Sequence, residues 1–420
     1  MNVLFSKTIL AFILVCVSVE SGEAAMIKDK SQDSLSFVAS ARCYIHSNIS
    51  KDEVRVIGPV ESGQTVDVSV LGGWSVWPAE DLDYDEMLKF LMGAKKDGLR
   101  ALGFEGVSLQ TDEIKLISEI DTLRELQFLS CTSIENHDFG ELNKLKNLSR
   151  LVIWNCPDLI VTRIGEQIAK IKTLREVVCE GVISESIASF AALPNLDSLE
   201  FSTRFEEGDL ECLKQFTMLR SLAFSEMPGI SLRALIGIQI ETLKLTRCGM
   251  GDQFVLEILP TLPKLKNLEV LTESRITDSG LSIISNLSDL ETLKLVNMSK
   301  IGDGGISCLE HAKKLIDLTI VDVPVTDKSA QSLARIRGLT QLRLNKLNLT
   351  DRSVESLLKC SSLLHLDIRR SGISIKGTKD ILAHMPQLKL IKLDRNQCDI
   401  KNLKSLREAY SSCDIQVESD

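Results

Sequence analysis

The amino-acid sequence predicts an α/β solenoid: a curved horseshoe with a parallel concave sheet and convex helices. Three observations carry that expectation. The first is repetition. LETLKLVNMSKIGDGGISCLEHAKK from Leu290 is followed by LIDLTIVDVPVTDKSAQSLARIRG from Leu315 and LTQLRLNKLNLTDRSVESLLKCSS from Leu339, at spacings of 25 and 24 residues. The second is the form of each copy. A short strand pattern has apolar residues at its first, fourth and sixth positions; a turn, a Thr-Asp or Gly-Asp pair and a short amphipathic helix follow. The third is composition. Hydrophobic residues make up 44% of the 420 residues and aromatic residues only 5%, so an aliphatic core is expected.

The period explains the architecture. One unit of about 24 residues has one apolar strand face and one apolar helix stripe, and cannot bury both alone. Stacked units bury them against their neighbours, with the strands in a parallel ladder about 4.8 Å apart. The strand side is narrower than the helix side, so the stack should curve.

In chain order, residues 1–24 read as a secretory signal: Lys7, an apolar run from Thr8 to Val19, then Ser21-Gly22-Glu23-Ala24-Ala25 for cleavage. The run is shorter than the roughly 20 residues of a membrane span. Cys16 ends Ile-Leu-Val-Cys, a weak lipid-anchor pattern because Val15 is not small. Residues 25–64 read as a polar leader in which Glu53–Ile57 alternates weakly. Residues 65–98 read as an N-terminal capping unit. In it, Val66, Val68 and Val70 alternate as a strand, Gly72-Gly73-Trp74 and Trp77-Pro78 form a loop, and Asp85–Met92 forms a helix with acids at its positive end. Residues 99–420 hold about thirteen repeats, beginning at Leu99, Leu123, Leu148, Leu174, Leu196, Leu219, Ile240, Leu268, Leu290, Leu315, Leu339, Leu363 and Leu388. Glu273 replaces the third apolar residue of the Leu268 repeat, and Ile415-Gln-Val417 reads as a closing half-repeat.

Ile276-Thr-Asp-Ser-Gly-Leu281, Ile301-Gly-Asp-Gly-Gly-Ile306 and Leu349-Thr-Asp-Arg-Ser-Val354 resemble the cysteine-containing, ribonuclease-inhibitor-like leucine-rich repeats. The resemblance covers 99–420 and implies a horseshoe with a partner-binding concave face. Such repeats occur in F-box substrate receptors and in bacterial secreted or surface proteins. Residues 25–98 hold no F-box pattern. The family fills its ninth repeat position with Asn or Cys turned inward. Cys131, Cys156 and Cys248 fall there, and Asn396 does so in the Leu388 repeat.

Motifs that could carry chemistry are weak. Thr277-Asp278, Gly302-Asp303, Thr326-Asp327 and Thr350-Asp351 each precede a helix and read as N-caps rather than a row of metal-binding carboxylates. Cys308 and His311 have helical ligand spacing but no second pair. Asp81, Asp83 and Asp85 open like a calcium loop, yet Glu86 and Met92 occupy its sixth and twelfth positions. Gly302-Asp-Gly-Gly305 has no Walker lysine and reads as a turn. No G-x-S-x-G elbow is present. Cys398 and Cys413 flank the last helix and are the best-placed disulfide candidates. No catalytic residue, metal or cofactor is expected.

Side chains at the third, fifth, seventh and eighth positions should face a partner. In the first six repeats Glu105, Glu125, Glu176, Glu180, Glu200 and Glu226 stand against Arg150 alone. In the last seven, ten basic residues stand against Asp317, Asp322, Asp367 and Asp394. This bipolar face would orient a partner. The candidate partner-binding residues are Trp154, Lys244, Arg247, Arg275, Lys294, Arg343, Lys346, Arg369 and Arg370. With a net charge of −9 and pI near 5.3, the chain lacks the basic face of a nucleic-acid binder. The expected function is an exported, monomeric, non-enzymatic scaffold for protein–protein interaction, secreted, periplasmic or on the cell surface. Alternatives are an intracellular substrate adaptor of the F-box type and a carbohydrate- or cell-wall-binding surface protein.

Overall fold

The computed structural model describes residues 36–418, apart from 51–52, 68–72, 136–137, 161–163, 182–183, 203–208, 228–231, 396 and 399. The proposed signal with Cys16, and Val68, Val70 and Asn396, lie outside the described residues. The chain divides into two compact units. One runs to Thr203 and takes in Gln215–Ser221; the other comprises Arg204–Lys214 and Leu222–Asp420.

The first unit opens with β1 (Ser36–Val38), β2 (Cys43–Ser50), β3 (Glu53–Val60), β4 (Thr65–Asp67) and β5 (Gly73–Pro78). β1 pairs antiparallel with β4, and β2 pairs antiparallel with both β3 and β5. Sheet structure therefore begins well before residue 65, inside the stretch that reads as a leader. A helix, Tyr84–Asp97, follows. Asp83 caps it by accepting from the Glu86 N–H, and the Glu86 carboxylate accepts from the Asp83 N–H, a capping box. The acids around 81–85 thus start a helix. β5 runs parallel to β6 (Ala101–Glu105) with Val76 opposite Leu102, so the cap enters the ladder in the phase of the repeats.

β6, β7 (Glu125–Leu129), β8 (Arg150–Trp154), β9 (Glu176–Glu180) and β10 (Ser198–Ser202) continue the parallel ladder. Leu102, Leu126, Leu151, Val177 and Leu199 form the fourth-position row, and Phe104, Phe128, Ile153, Cys179 and Phe201 the sixth. All ten are buried. The core is aliphatic, as composition suggests, with a few phenylalanines set among the leucines. Phe104 stacks on Phe128 with centroids 5.7 Å apart, and Phe139 tilts against Phe128 at 5.6 Å.

β11 (Ser221–Ser225) falls at the division of the chain. The second unit contains the ladder β12 (Thr242–Thr246), β13 (Asn267–Leu271), β14 (Thr292–Val296), β15 (Asp317–Val321), β16 (Gln341–Asn345), β17 (His365–Asp367), β18 (Leu390–Asp394) and β19 (Asp414–Glu418). All neighbours are parallel and in register. This register corrects one repeat. Leu268 lies opposite Leu243 and Leu293, so it is a fourth-position residue and its repeat begins at Leu265. Leu271, apolar at the seventh position, imitates the fourth position of a shifted pattern. Glu273 therefore does not interrupt a strand. It fills the ninth position, in the place Cys248 holds one repeat earlier.

The backbone repeats as strictly as the leucines. Gly106, Ser130, Asn155 and Gly181 in the first unit all have φ between 51° and 70°. So do Glu226, Arg247, Thr272, Asn297, Asp322, Lys346 and Arg370 in the second. Each is the eighth residue of its repeat. The left-handed turn ends the strand and points the eighth N–H at the next repeat, as where Thr272 donates to the Val296 carbonyl at 2.7 Å and Asn297 to that of Val321 at 2.9 Å.

Candidate interaction face

Two of the suspected sites resolve into repeat-to-repeat joints. Thr277, Thr326 and Thr350 do cap their helices, accepting from the N–H of Ser279, Lys328 and Arg352 at 3.2–3.4 Å. The aspartates beside them reach across to the next repeat. Asp252 accepts from Thr277 N (2.8 Å) and Oγ1 (2.6 Å), Asp303 from Thr326, Asp327 from Thr350 and Asp351 from Ser374 in the same two-point manner. Asp278 accepts from Gly302 N at 2.7 Å. The carboxylates of Asp252, Asp278, Asp303 and Asp351 occupy space at the third residue after the next cap, where the chain has Gly280, Gly305, Ser329 and Gly377. A Cβ at Gly305 would sit 2.5 Å from Asp278 Oδ1, and one at Gly280 or Gly377 closer still to its aspartate. Gly304 and Gly305 are thus in a helix, Asp303–Cys308, thinned to admit Asp278, and not in a turn.

The ninth position is a second joint. Cys131, Cys156 and Cys248 donate to the carbonyls of Phe104, Phe128 and Phe224, the sixth residues one repeat back, at 3.4–3.5 Å. In the last repeat Gln397 does this work, donating to Ile368 O at 2.8 Å. Glu273 serves as an acceptor instead: its carboxylate takes the N–H of Cys248 (2.5 Å) and Met250 (2.7 Å). Burial raises its pKa, against the pull of those donors. Burial likewise pushes the Cys248 thiol up to about 12 and that of Cys360 to about 11, which leaves no thiolate at neutral pH. No disulfide joins the described cysteines, Cys398 and Cys413 included. Among the described residues no group of three His, Cys, Asp or Glu could hold a metal ion. No helix among them is long and apolar enough to cross a membrane.

What remains is the ladder face, the side of the strands opposite the leucine rows. In the first unit its fifth-position row is Gly103, Gln127, Val152, Val178 and Glu200. The seventh-position row begins Glu105, Leu129, Trp154, and the pairing of Ile153 with Cys179 brings Glu180 next. Trp77 from the cap lies where a Cβ on Gly103 would be. Trp77, Leu129, Val152 and Val178 are fully buried, and half-buried Tyr44 and Trp154 pack against them. Trp154 therefore packs on this cluster. His46 stacks on Trp77 at 4.7 Å and 19°. Burial lowers its pKa to about 4, and its buried Nδ1 has no hydrogen-bond partner. In the third-position row Arg150 lies between Glu125 (2.5 Å) and Glu176 (3.0 Å). Burial opposes its charge, but the two carboxylates outweigh that and raise its pKa.

In the second unit the fifth-position row reads Lys244, Glu269, Lys294, Thr319, Arg343, Asp367, Lys392. Unlike charges alternate along it except at Thr319, which stands between Lys294 and Arg343. Arg275 leaves the face with the corrected phase; it is exposed in a bridge to Gly251. Glu269 enters, so nine basic residues stand against five acidic. Lys244 is buried. Arg247 pairs with Glu226 (2.8 Å), Lys294 with Glu269 (3.7 Å), Lys346 with Asp322 (2.5 Å) and Arg369 with buried Asp367 (2.6 Å). Arg343 reaches Thr319 Oγ1 at 3.1 Å, and exposed Arg370 holds Asp394 through its backbone N–H at 2.5 Å. The basic face is thus a set of cross-strand pairs more than an open field, which the linear count could not show.

No family model and no curated protein matches the chain. Among solved structures it is similar to a chain of the yeast Rad7 and Elc1 complex, at 20% identity over 74% of this chain and 83% of that one, with a TM-score of 0.51. It is also similar to an internalin from Listeria monocytogenes, at 18% identity over 71% and 82%, with a TM-score of 0.43. The fold is that of a leucine-rich repeat protein.

Proposed function

We propose that the chain is an exported, non-enzymatic scaffold that holds a protein partner on its ladder face. The observation that carries this reading is the contrast between the two sides of every strand. Fourth and sixth positions stay buried and almost entirely apolar, while the third, fifth, seventh and eighth change chemistry from repeat to repeat on an unchanging backbone. Of the candidate residues, Trp154, Arg247, Arg343, Lys346 and Arg370 keep solvent access. Lys294 and Arg369 act by fixing the carboxylates beside them, whereas Lys244 is buried and Arg275 stands off the face. Partner capture by the full chain, at low and high salt, tests the reading. Alanine at Trp154, Arg343, Arg369 and Arg370 together should abolish capture, and unchanged capture would refute it. Export rests on Lys7, the Thr8–Val19 run and the small residues to Ala25. N-terminal sequencing of the native protein should find a start near Ala25; a retained Met1 would return the intracellular adaptor. Sedimentation should give a monomer.

A further inference from the structure

The first unit carries a second small core on the wrong side of its sheet for ordinary packing. Its fourth and sixth rows already bury the apolar surface that the repeats need. Trp77, Leu129, Val152 and Val178 nevertheless close a cluster on the ladder face, and Tyr44 and Trp154 cap it while staying half-exposed. An indole held between Leu129 and the valines loses little freedom when something binds to it. Carboxylates surround it. Glu180 is one strand away, about 5 Å, and Glu105 two strands, about 10 Å; Glu200 ends the adjoining row next to Val178 and is buried. The ladder rows of this unit hold Glu105, Glu125, Glu176, Glu180 and Glu200 against one cation, Arg150. His46 is neutral at physiological pH, and Arg42, which interacts with Tyr44, is held by Asp81.

We propose that Trp154 and Tyr44, with Glu105 and Glu180 around them, form a docking site for a cationic segment of a partner protein. An arginine or lysine side chain lies on the indole and its charge is met by the carboxylates. The inference rests on the ladder face being a protein-binding surface and names the chemistry of what it binds. Aromatic faces attract cations, and guanidinium groups stack on them best. The excess of carboxylates steers a basic segment in and repels an acidic one.

The test uses the full chain and three synthetic peptides that alternate leucine with arginine, glutamine or glutamate. Calorimetric titration should show saturable one-to-one binding of the arginine peptide, weakened at high salt, and no binding of the glutamate peptide. Trp154→Leu, which keeps the apolar contact and removes the aromatic face, should weaken it about five- to tenfold. Glu105→Gln with Glu180→Gln, close in shape, should weaken it similarly and flatten the salt dependence while far-UV circular dichroism stays unchanged. Equal binding by all variants, or preference for the glutamate peptide, overturns the proposal. Peptide display on the same chain separates this failure from that of the scaffold reading. Selected peptides that ignore Trp154→Leu but are lost with Arg343→Ala and Lys346→Ala would sink the cationic site and leave the scaffold. Selected peptides that depend on neither face, or a second copy of the chain or a glycan as the only ligand found, would sink both.

Discussion

Gly280→Ala is the sharpest test of how adjacent repeats are joined. Alanine is the better helix former, by roughly 1 kcal/mol, and Gly280 lies in the helix Asp278–Ile284, so helix propensity alone forecasts a gain. The structure forecasts a loss. The new Cβ would collide with Asp252 Oδ1 and lie 2.9 Å from Ile276 Cγ2. To make room, Asp252 must release Thr277 N and Oγ1, which donate to it at 2.8 and 2.6 Å. Two hydrogen bonds to a charged acceptor contribute about 3 kcal/mol at the low end of their range. Net of the helix gain, destabilisation should be about 2 kcal/mol. Urea unfolding followed by far-UV circular dichroism reads it as a lower midpoint with an unchanged slope. The decisive comparison is a double-mutant cycle. In an Asp252→Ala background the carboxylate is gone, and Gly280→Ala should become close to neutral, with the Ile276 contact as the residual cost. The same 2 kcal/mol loss in both backgrounds would refute the joint.

Other consequences are as direct. Thr272 is the one β-branched residue among the described left-handed eighth positions, so Thr272→Asn should raise stability by about 0.5–1 kcal/mol, and a lower thermal midpoint would contradict this. Arg150→Ala leaves Glu125 and Glu176 facing each other at a largely buried site and should cost about 3 kcal/mol; Arg150→Ala with both glutamates changed to glutamine should recover much of it in thermal unfolding. Asp303 is pushed up by burial, but the Ser329 and Thr326 hydroxyls and the Thr326 N–H overcome that and hold its pKa below the ordinary value. Its contribution is therefore complete above an unfolded pKa of about 3.9 and lost as pH falls through the lower folded value. Asp303→Asn should flatten that acid limb, and an unaltered pH profile of stability would show that the shift is absent.

The scaffold was legible because its cause is local and repeated. Leu293 and Leu295 recur as Leu318 and Ile320 and again as Leu342 and Leu344, and period alone forces stacking. The helix caps at Thr277, Thr326 and Thr350 were legible for the same reason. The phase at Leu268 was not. Leu268 and Leu271 fit two frames equally well in one dimension, and only hydrogen bonding to Leu243 and Leu293 chooses between them. That choice turned Glu273 from an interruption into a buried acceptor and moved Arg275 off the face. A 25-residue spacing to Cys248 was the one signal that could have found it.

By itself, then, the sequence determined the repeat, the alternation of strand and helix from Leu99 onward, and most of the leucine rows that line the core, since those follow from short-range periodicity. The tertiary structure decided what the remaining side chains do, because most of their partners lie one repeat away, some 21 to 29 positions along the chain. The Asp252–Thr277 joint, the small residue demanded at Gly280, the pairing that quiets the basic rows and the aromatic cluster around Trp154 are contacts across that gap. Composition cannot report them; they exist only once the ladder register sets which side chains become neighbours.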